Sequence, residues 1–513
     1  MLLPSCRPRS FFAGRLRRAY HDQRWPGWQV VIGIETHAQI KSRQKLFSDS
    51  STSSLGEVPN IHVSPFDAAF PGTLPKLNQE CVDLALRTAI ALGSNIQPRC
   101  SFDRKHYFYS DLPSGYQITQ HYAPIALGGG LLIPNRDSPI RIKQIQLEQD
   151  TAKSTFEPRT RTSSIDLNRA GTGLLEIVTE PDLRSPEEAG AYVRALQAML
   201  RAIGASDGNM EAGSLRCDVN VSVNPIGQPP GTRCEIKNLN SIKFMQFAIV
   251  FEVHRQRALL SQADAVVPQE TRGFNQDTLE TFKMRSKEEA PDYRYMPDPN
   301  LGVLSIAPER IKSTVEIMPE LPWVTRIRLL REYELSEQDA DILLNLDSGQ
   351  EHGDGGAVAY FDRLCKDGPS VNPRVVFNWM VHELLGRLHA AKLTFTDNPL
   401  SSSQLGELIG LVHSAAITGT SGKLLLREML ADSSSALTPT ERARSLNLLA
   451  ASSEQLDVSA LCAAAIAALP SEAAAFKKGH KNVLNKILGW VMKESRGRAD
   501  SQQVRECLIS LLH

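Results

Sequence analysis

Residues 30–40 alternate without interruption. Val31, Gly33, Glu35, His37 and Gln39 fall on one side of an extended chain, and Ile32, Ile34, Thr36, Ala38 and Ile40 on the other. Such a segment is a strand that buries one apolar face and presents a carboxylate and an imidazole two residues apart on the other. Residues 145–150 repeat the pattern, with Gln146, Glu148 and Asp150 on one side. So do residues 215–223, where Leu215, Cys217, Val219, Val221 and Val223 face the core and Arg216, Asp218, Asn220 and Ser222 face outward. Clean alternation favours antiparallel strands with one solvated face over a parallel sheet buried on both.

Helices lie between these strands. Ser185-Pro186-Glu187-Glu188 reads as an N-cap, a first-turn proline and two acids at the positive end of a helix that runs to about Ile203 and stops at Gly204. A second long helix starts at Asn240 or Ser241 and runs through Leu260. Beyond about Pro322 the strand signals vanish. Residues 329–346, 375–393 and 402–411 carry helical periodicity, 353–356 is a Gly-rich loop, 432–436 reads as a linker, and 440–513 is a small helical unit. The fold class is therefore α+β, with a helical C-terminal part.

Lys+Arg and Asp+Glu are both 57, so the formal charge is zero, which excludes a bulk polycation but not a local basic patch. The longest apolar candidate, 461–469, is far short of the roughly 18–20 residues a membrane helix needs, so no membrane insertion is expected. The eight cysteines are scattered with no CxxC pair, the spacing of free thiols in a reducing compartment rather than of a zinc site. Residues 1–20 hold Arg7, Arg9, Arg15, Arg17 and Arg18 and no acid. This is the composition of a mitochondrial presequence, the alternative being a basic disordered tail.

Familiar nucleotide motifs fail. Gly171-Thr172-Gly173 has Glu176 in the third glycine's place, and Gly419-Thr420-Ser421-Gly422-Lys423 lacks both the leading glycine and the Ser/Thr of a phosphate loop. What remains is a set of acids and one histidine: Glu35, His37, Glu148, Asp150, Glu176, Glu180 and Asp218. Hard cations such as magnesium take carboxylate oxygens, and a histidine can complete the shell. On spacing alone the same residues also fit solvated strand faces. Lys153, Asn168, Arg169, Arg216 and Lys237 could bind phosphate or a carboxylate, or form surface ion pairs and turns. The run His106-Tyr107-Phe108-Tyr109 with Tyr116 could stack nucleobases or fill a core. Near the C-terminus Lys477, Lys478, Lys481, Lys486, Lys493, Arg496 and Arg498 face a single acid, Glu494. That is either a footprint for a nucleic-acid backbone or a solvated helix.

Several stretches together resemble the B-subunit family of the glutamyl-tRNA(Gln) amidotransferases. They are Gly33-Ile34-Glu35-Thr36-His37, Phe70-Pro71-Gly72-Thr73-Leu74-Pro75, the segment from Phe102 to Tyr109, Leu147-Glu148-Gln149-Asp150 and Asp166-Leu167-Asn168-Arg169. The series continues with the segment from Leu175 to Asp182, Gly213-Ser214-Leu215-Arg216-Cys217-Asp218, Lys237-Asn238-Leu239-Asn240-Ser241 and Asp292-Tyr293-Arg294-Tyr295-Met296-Pro297. They run in family order over residues 28–320 and return weakly around 479–497.

The resemblance implies an antiparallel-sheet cradle domain over 28–320 that carries the chemistry, an all-α helical domain over 321–430 and a small helical tRNA-binding tail over 431–513. It also implies a ligase reaction. ATP phosphorylates the side-chain carboxylate of glutamate mischarged on tRNA(Gln), and ammonia displaces the phosphate to give glutamine. With ATP and Mg2+ as cofactors, Glu35, His37 and Glu148 are the expected metal and phosphate centre, joined by Asp150 and Asp218. Arg216 and Lys237, with Lys153, Asn168 and Arg169, are expected to neutralise phosphate or substrate. Lys478, Lys481, Lys486, Lys493 and Arg496 are the expected tRNA contacts. No Ser-Ser-Lys amidase centre is present, so ammonia must come from a glutaminase A-type partner, and a small third subunit is expected. With the presequence, the setting is the mitochondrial matrix and the substrate Glu-tRNA(Gln).

Three positions depart from the family pattern: Thr36 for valine, Gln149 for glutamate, and Asn485 for a tail glycine. The rival function is a non-catalytic tRNA-binding or assembly factor, which loss of the acidic set would signal; a free-standing carboxylate kinase would need its own nitrogen source.

Overall fold

In a computed structural model of the chain, the described residues are 22, 24–53, 56–134, 136–262, 265–286, 292–347, 356–368, 371–432, 437–449, 458–477, 481–495, 499 and 501–512. Residues 1–20, expected to be a presequence, lie outside them. The chain divides into two compact units, residues 1–321 and 322–513.

The first unit is built on a ten-stranded sheet. Its centre is the Trp28–Gln39 strand, which pairs antiparallel with Gly173–Thr179 on one side and Leu215–Pro225 on the other. Ile140–Gln149 extends the sheet beyond Gly173–Thr179. Cys234–Leu239, Glu270–Asn275 and Glu280–Ser286 extend it beyond Leu215–Pro225, and only the 234–239/270–275 pairing is parallel. The alternation read from the sequence is the alternation of burial. Ile32, Ile34, Thr36, Ala38, Cys217, Val219 and Val221 are buried, while Glu35, His37, Arg216 and Asp218 stay partly open.

The apolar face is covered by helices whose ends are set by local chemistry. Ser185 caps Pro186–Ala202 by accepting from the Glu188 amide, and Ser241 caps Ile242–Leu260 by accepting from Phe244. Gly204, at φ +68°, ends the first helix in the left-handed conformation that glycine adopts without strain. The 242–260 helix packs on the 215–225 strand, and the Gln256 amide donates to the Val221 carbonyl through the interface.

The opposite face departs from the sequence expectation in one respect. Gln146, Glu148 and Asp150 are not solvated but buried. The Asp103–His106/Tyr116–Thr119 hairpin lies against this part of the sheet, with Gln117 bonded to Glu148 and Gln146 bonded to Thr119. A hairpin that folds back over its own sheet leaves no trace in strand periodicity, because the covering residues belong to another part of the chain.

The segment 166–172 is pinned from below. Lys45 is wholly buried, donating to the carbonyls of His62 and Leu167 and to Asp67 Oδ2 at 3.2 Å. Burial pushes its ammonium below the ordinary lysine value, with Asp67 pulling the other way. Asp67 Oδ1 is buried without a hydrogen bond and points at Gly171, where an added Cβ would sit 2.5 Å from it.

In the second unit the expected helical stretch 329–346 is two helices, Pro322–Glu332 and Glu337–Asp347, broken at Glu334, which has a φ of +51°. They and the helices up to Pro439–Ser445 share a core that includes Leu329, Phe361, Phe377, Met380, Leu405 and Leu425. A separate core of Cys462, Ala465, Ile487, Val491, Val504 and Leu508 holds the four helices of 458–512. The Gly419–Lys423 run is a helix start capped by Thr418, and Gly422 is small because Trp379 and Val412 pack against it. Among the described residues no single helix is long and apolar enough to cross a membrane.

Gly171→Ala is expected to lower stability by more than the about 1–2 kcal/mol of a left-handed alanine, since the methyl group also displaces Asp67. Ser241→Ala removes only a cap and is expected to cost about 1 kcal/mol. Denaturant midpoints of the two variants, measured side by side, check the order; equal losses would mean that the Gly171 turn carries no packing constraint.

Candidate active site

Strand pairing builds the site. Across the centre of the sheet Glu35 lies opposite Asp218 and Val178, and His37 opposite Arg216 and Glu176. One strand further, Glu176 lies opposite Gln146 and Leu174 opposite Glu148. Directly paired residues share a face of the sheet. Four strands thus bring one imidazole and a group of carboxylates onto the same polar surface.

His37 is the hub. Its Nε2 lies 3.7 Å from Glu35 Oε1, 3.8 Å from Glu148 Oε1 and 3.9 Å from Glu176 Oε2. Two sets of donor atoms, Glu35/His37/Asp218 and His37/Glu148/Glu176, each gather within 4.8 Å. Ligands of one magnesium ion sit at ~2.1 Å from it, so no two can be more than roughly 4.2 Å apart. The His37 distances meet that limit, and the oxygen-rich donors suit a hard cation. Through Nε2, His37 can serve one ion, so it completes one set and leaves the other to carboxylates.

Cations frame the acids. Arg216 Nη2 donates to Asp150 Oδ1 at 2.9 Å, Gln39 Nε2 donates to Asp150 Oδ2 at 3.1 Å, and Arg169 stands 3.7 Å from the same oxygen. Burial opposes the Arg216 charge, but Asp150 and the neighbouring Glu148 and Asp218 hold the guanidinium above its usual pKa. Cys234–Leu239 slips its register against the 215–225 strand beside Lys237, whose Nζ reaches Asp218 at 2.5 Å and Glu235 at 3.0 Å. Burial opposes that ammonium too, and the two carboxylates raise it. Lys105 comes from the covering hairpin, and Glu148 holds its ammonium well above the ordinary lysine value against the penalty of burial. Glu176 shows the strain of the crowd: burial, then Glu148 and Glu35, push its carboxyl well above the usual range.

The structure thus brings together Glu35, His37, Glu148, Asp150, Asp218, Arg216, Lys237 and Arg169. Two expected phosphate binders are elsewhere. Asn168 Oδ1 accepts from the His62 amide at 2.8 Å and its Nδ2 donates to the Val58 carbonyl at 2.7 Å, so both ends of the side chain hold the 58–62 loop. Lys153 is exposed in a separate two-stranded hairpin opposite Asp166. In the tail, Lys486 and Lys493 are exposed on the Leu484–Glu494 helix, one heptad apart and so on one side of it, with Lys486 paired to Glu472 at 2.6 Å. Lys478 and Arg496 lie outside the described residues, as does the side chain of Lys481.

Lys105 and Gln117 carry no signal of their own in the sequence, Gln146 is placed there only on the Glu148 face, and Glu176 belongs to the acidic set but not to the expected metal centre. Gln146 sits on the same alternation as Glu148, and Glu176 on the strand beside it; their signal was the strand register, which a single sequence does not display. Lys105 could be found only from the resembling segment that contains it.

Two comparisons with known proteins bear on this face. Residues 30–312 match the family model described as the GatB/GatE catalytic domain, and residues 359–512 match one described as a GatB domain. A Laccaria bicolor protein, named as the mitochondrial B subunit of glutamyl-tRNA(Gln) amidotransferase, is 62% identical over 96% of this chain and 93% of its own length. This chain belongs to the amidotransferase B-subunit family. A Cryptococcus neoformans protein of the same name is 46% identical over 95% of this chain and 94% of its own length. A Rickettsia felis relative, named as the B subunit of aspartyl/glutamyl-tRNA(Asn/Gln) amidotransferase, is 41% identical over 96% of this chain and 99% of its own length. Every residue of the acidic set described above falls inside the segment matched as catalytic.

Lys105→Met is expected to destabilise the first unit, because Glu148 and Glu176 lose a nearby compensating charge. Lys105→Arg should recover most of the loss. Denaturation of the three proteins in chelator checks this, and a stable Met variant would show that Lys105 does not compensate the acids.

Proposed function

We propose that this chain is the B subunit of the mitochondrial glutamyl-tRNA(Gln) amidotransferase, the ligase component that activates and amidates the glutamate of Glu-tRNA(Gln) at the expense of ATP. One observation supports this above the others: two carboxylate–imidazole sets and their framing cations share one sheet face within the segment matched as catalytic. The fungal relatives named above carry Glu-tRNA(Gln) and mitochondrial in their names, which supports that substrate and compartment.

The chemistry asks little covalent help from the protein. A carboxylate is a poor electrophile, so one of its oxygens attacks the γ-phosphorus of ATP, ADP leaves, and an acyl phosphate forms. Ammonia then attacks the carbonyl carbon, phosphate departs with the electron pair of the broken C–O bond, and a proton is lost from nitrogen. Transfer of this kind depends on positioning and on neutralising the phosphoryl oxygens. Glu148, Glu176 and His37 would hold one magnesium ion, and Glu35 with Asp218 a second. The bound ions would supply positive charge that neutralises the phosphoryl oxygens. Arg216, Lys237 and Lys105 orient phosphate and the substrate carboxylate, and Arg169 and Gln39 keep Asp150 in place beneath Arg216. Ammonia comes from a glutaminase A-type partner, since this sequence carries no amidase centre, and a small third subunit completes the assembly. Lys486 and Lys493 meet the tRNA backbone.

In the complex with its A-type partner, supplied with Glu-tRNA(Gln), ATP, magnesium and free ammonia, Glu148→Gln should abolish ADP and Gln-tRNA together while tRNA stays bound. Unchanged turnover would remove Glu148 from the site, and a native complex that binds tRNA without turnover would favour an assembly factor. A Lys486→Ala/Lys493→Ala variant should weaken tRNA binding and flatten its salt dependence by about 0.7–0.9 in log–log slope per lost contact; an unaltered slope would place the tRNA elsewhere.

A further inference from the structure

Beside the acids runs a line of aromatic rings that phosphoryl chemistry does not use. Tyr109 meets Tyr107 at a centroid distance of 5.7 Å, Tyr107 meets Tyr293 at 5.9 Å, and Tyr293 meets Tyr295 at 6.1 Å. Tyr295 stacks flat on His121 at 3.8 Å and 10°, and His121 meets Tyr122 at 4.8 Å. The inner rings are tied to the active site. The Tyr107 hydroxyl donates to Gln117 Oε1 at 2.9 Å, Gln117 Nε2 donates to Glu148 Oε1 at 2.8 Å, and Lys105 Nζ lies 5.1 Å from the centre of the Tyr293 ring. The two ends are open: Tyr109 is 62% and Tyr122 64% exposed. Large apolar rings left in solvent next to a reaction centre mark a surface that something covers.

We infer that Tyr109, the open ring beside Tyr107, is the stacking platform for the 3′-terminal adenine of the aminoacyl-tRNA. The inference rests on the amidotransferase reading. In that reaction the glutamate is esterified to the ribose of the terminal adenosine, so its side-chain carboxylate and the adenine are joined by a short run of single bonds. With the carboxylate on the acidic face, the base has to lie close by. An unpaired base at the end of an RNA strand is held by aromatic faces rather than by groove contacts. The adenine of ATP lies a comparable number of bonds from its γ-phosphorus, so the KM for ATP is read beside the RNA affinities. The exposed Arg294, between Tyr293 and Tyr295 and 3.8 Å from Asp292, supplies positive charge for the flanking phosphates.

The test uses the assembled amidotransferase and two RNAs, intact uncharged tRNA(Gln) and the same tRNA lacking its 3′-terminal adenosine. The native complex should bind the shortened RNA about 5- to 100-fold more weakly, the range of one lost base–aromatic stack. A Tyr109→Ala complex should bind both RNAs equally, at the native complex's level for the shortened one, with KM for ATP unchanged. The Tyr109→Phe variant should restore discrimination, and the Tyr109→Leu variant, apolar but without a π face, should not. Discrimination retained in the Ala variant overturns the inference. So does recovery by leucine, a raised KM for ATP with discrimination intact, or failure of a folded Ala variant to assemble with its A-type partner, which would make the rings an assembly interface. A native complex that discriminates between the RNAs yet makes no Gln-tRNA would instead sink the amidotransferase reading and leave the platform standing.

Discussion

Carboxylates gathered on adjacent strands repel one another, and a chain that folds around them has to supply the opposing charge within the same few ångströms. Here Glu35, Glu148, Glu176 and Asp218 converge on His37, and the compensation comes from Lys105, Arg216 and Lys237, each from a different part of the sequence. Compensation is incomplete, since Glu176 is still driven toward its neutral form by burial and by its neighbours. An acidic set left short of positive charge is a poor way to stabilise a fold and a good way to attract divalent cations and phosphate together.

Much of the first unit can be understood as support for that arrangement. The central strand carries two of the converging residues and is paired on both sides, so neither Glu35 nor His37 can shift register without moving every apolar residue of residues 28–39 to the wrong face. The Ser185 and Ser241 caps start the helices that cover the apolar side. The buried Lys45–Asp67 pair and Gly171 hold the turn that carries Arg169 to Asp150. The hairpin through Tyr116–Thr119 closes over the acids, lowering their contact with water and so strengthening each charge interaction within.

The strands, the caps and the polar strand faces that carry the acids were legible because they are local. Alternation places Glu35 with His37 and Arg216 with Asp218, and Ser-Pro-Glu-Glu starts a helix, whatever the rest of the chain does. What could not be read is what depends on register between distant segments. Glu148 and Glu176 are diagonal neighbours only because Leu174 pairs with Glu148. Gln117 and Lys105 matter only because their hairpin folds over the sheet. Asn168 and Arg169 adjoin in sequence, yet one staples a loop while the other reaches the acids, a division set by the 58–62 segment rather than by either residue.

On the proposed reading, this acidic face converts the glutamate side chain into an acyl phosphate. Hydroxylamine captures an acyl phosphate as a stable hydroxamate. With Glu-tRNA(Gln) and magnesium, and hydroxylamine in place of ammonia, the native complex should form the γ-hydroxamate of glutamate only when ATP is present, distinct from the α-hydroxamate that hydroxylamine releases from the ester without enzyme, and the His37→Ala complex should form no γ-hydroxamate. ATP-dependent γ-hydroxamate formed at the native rate by the His37→Ala complex would contradict this and put the activation of glutamate on another surface.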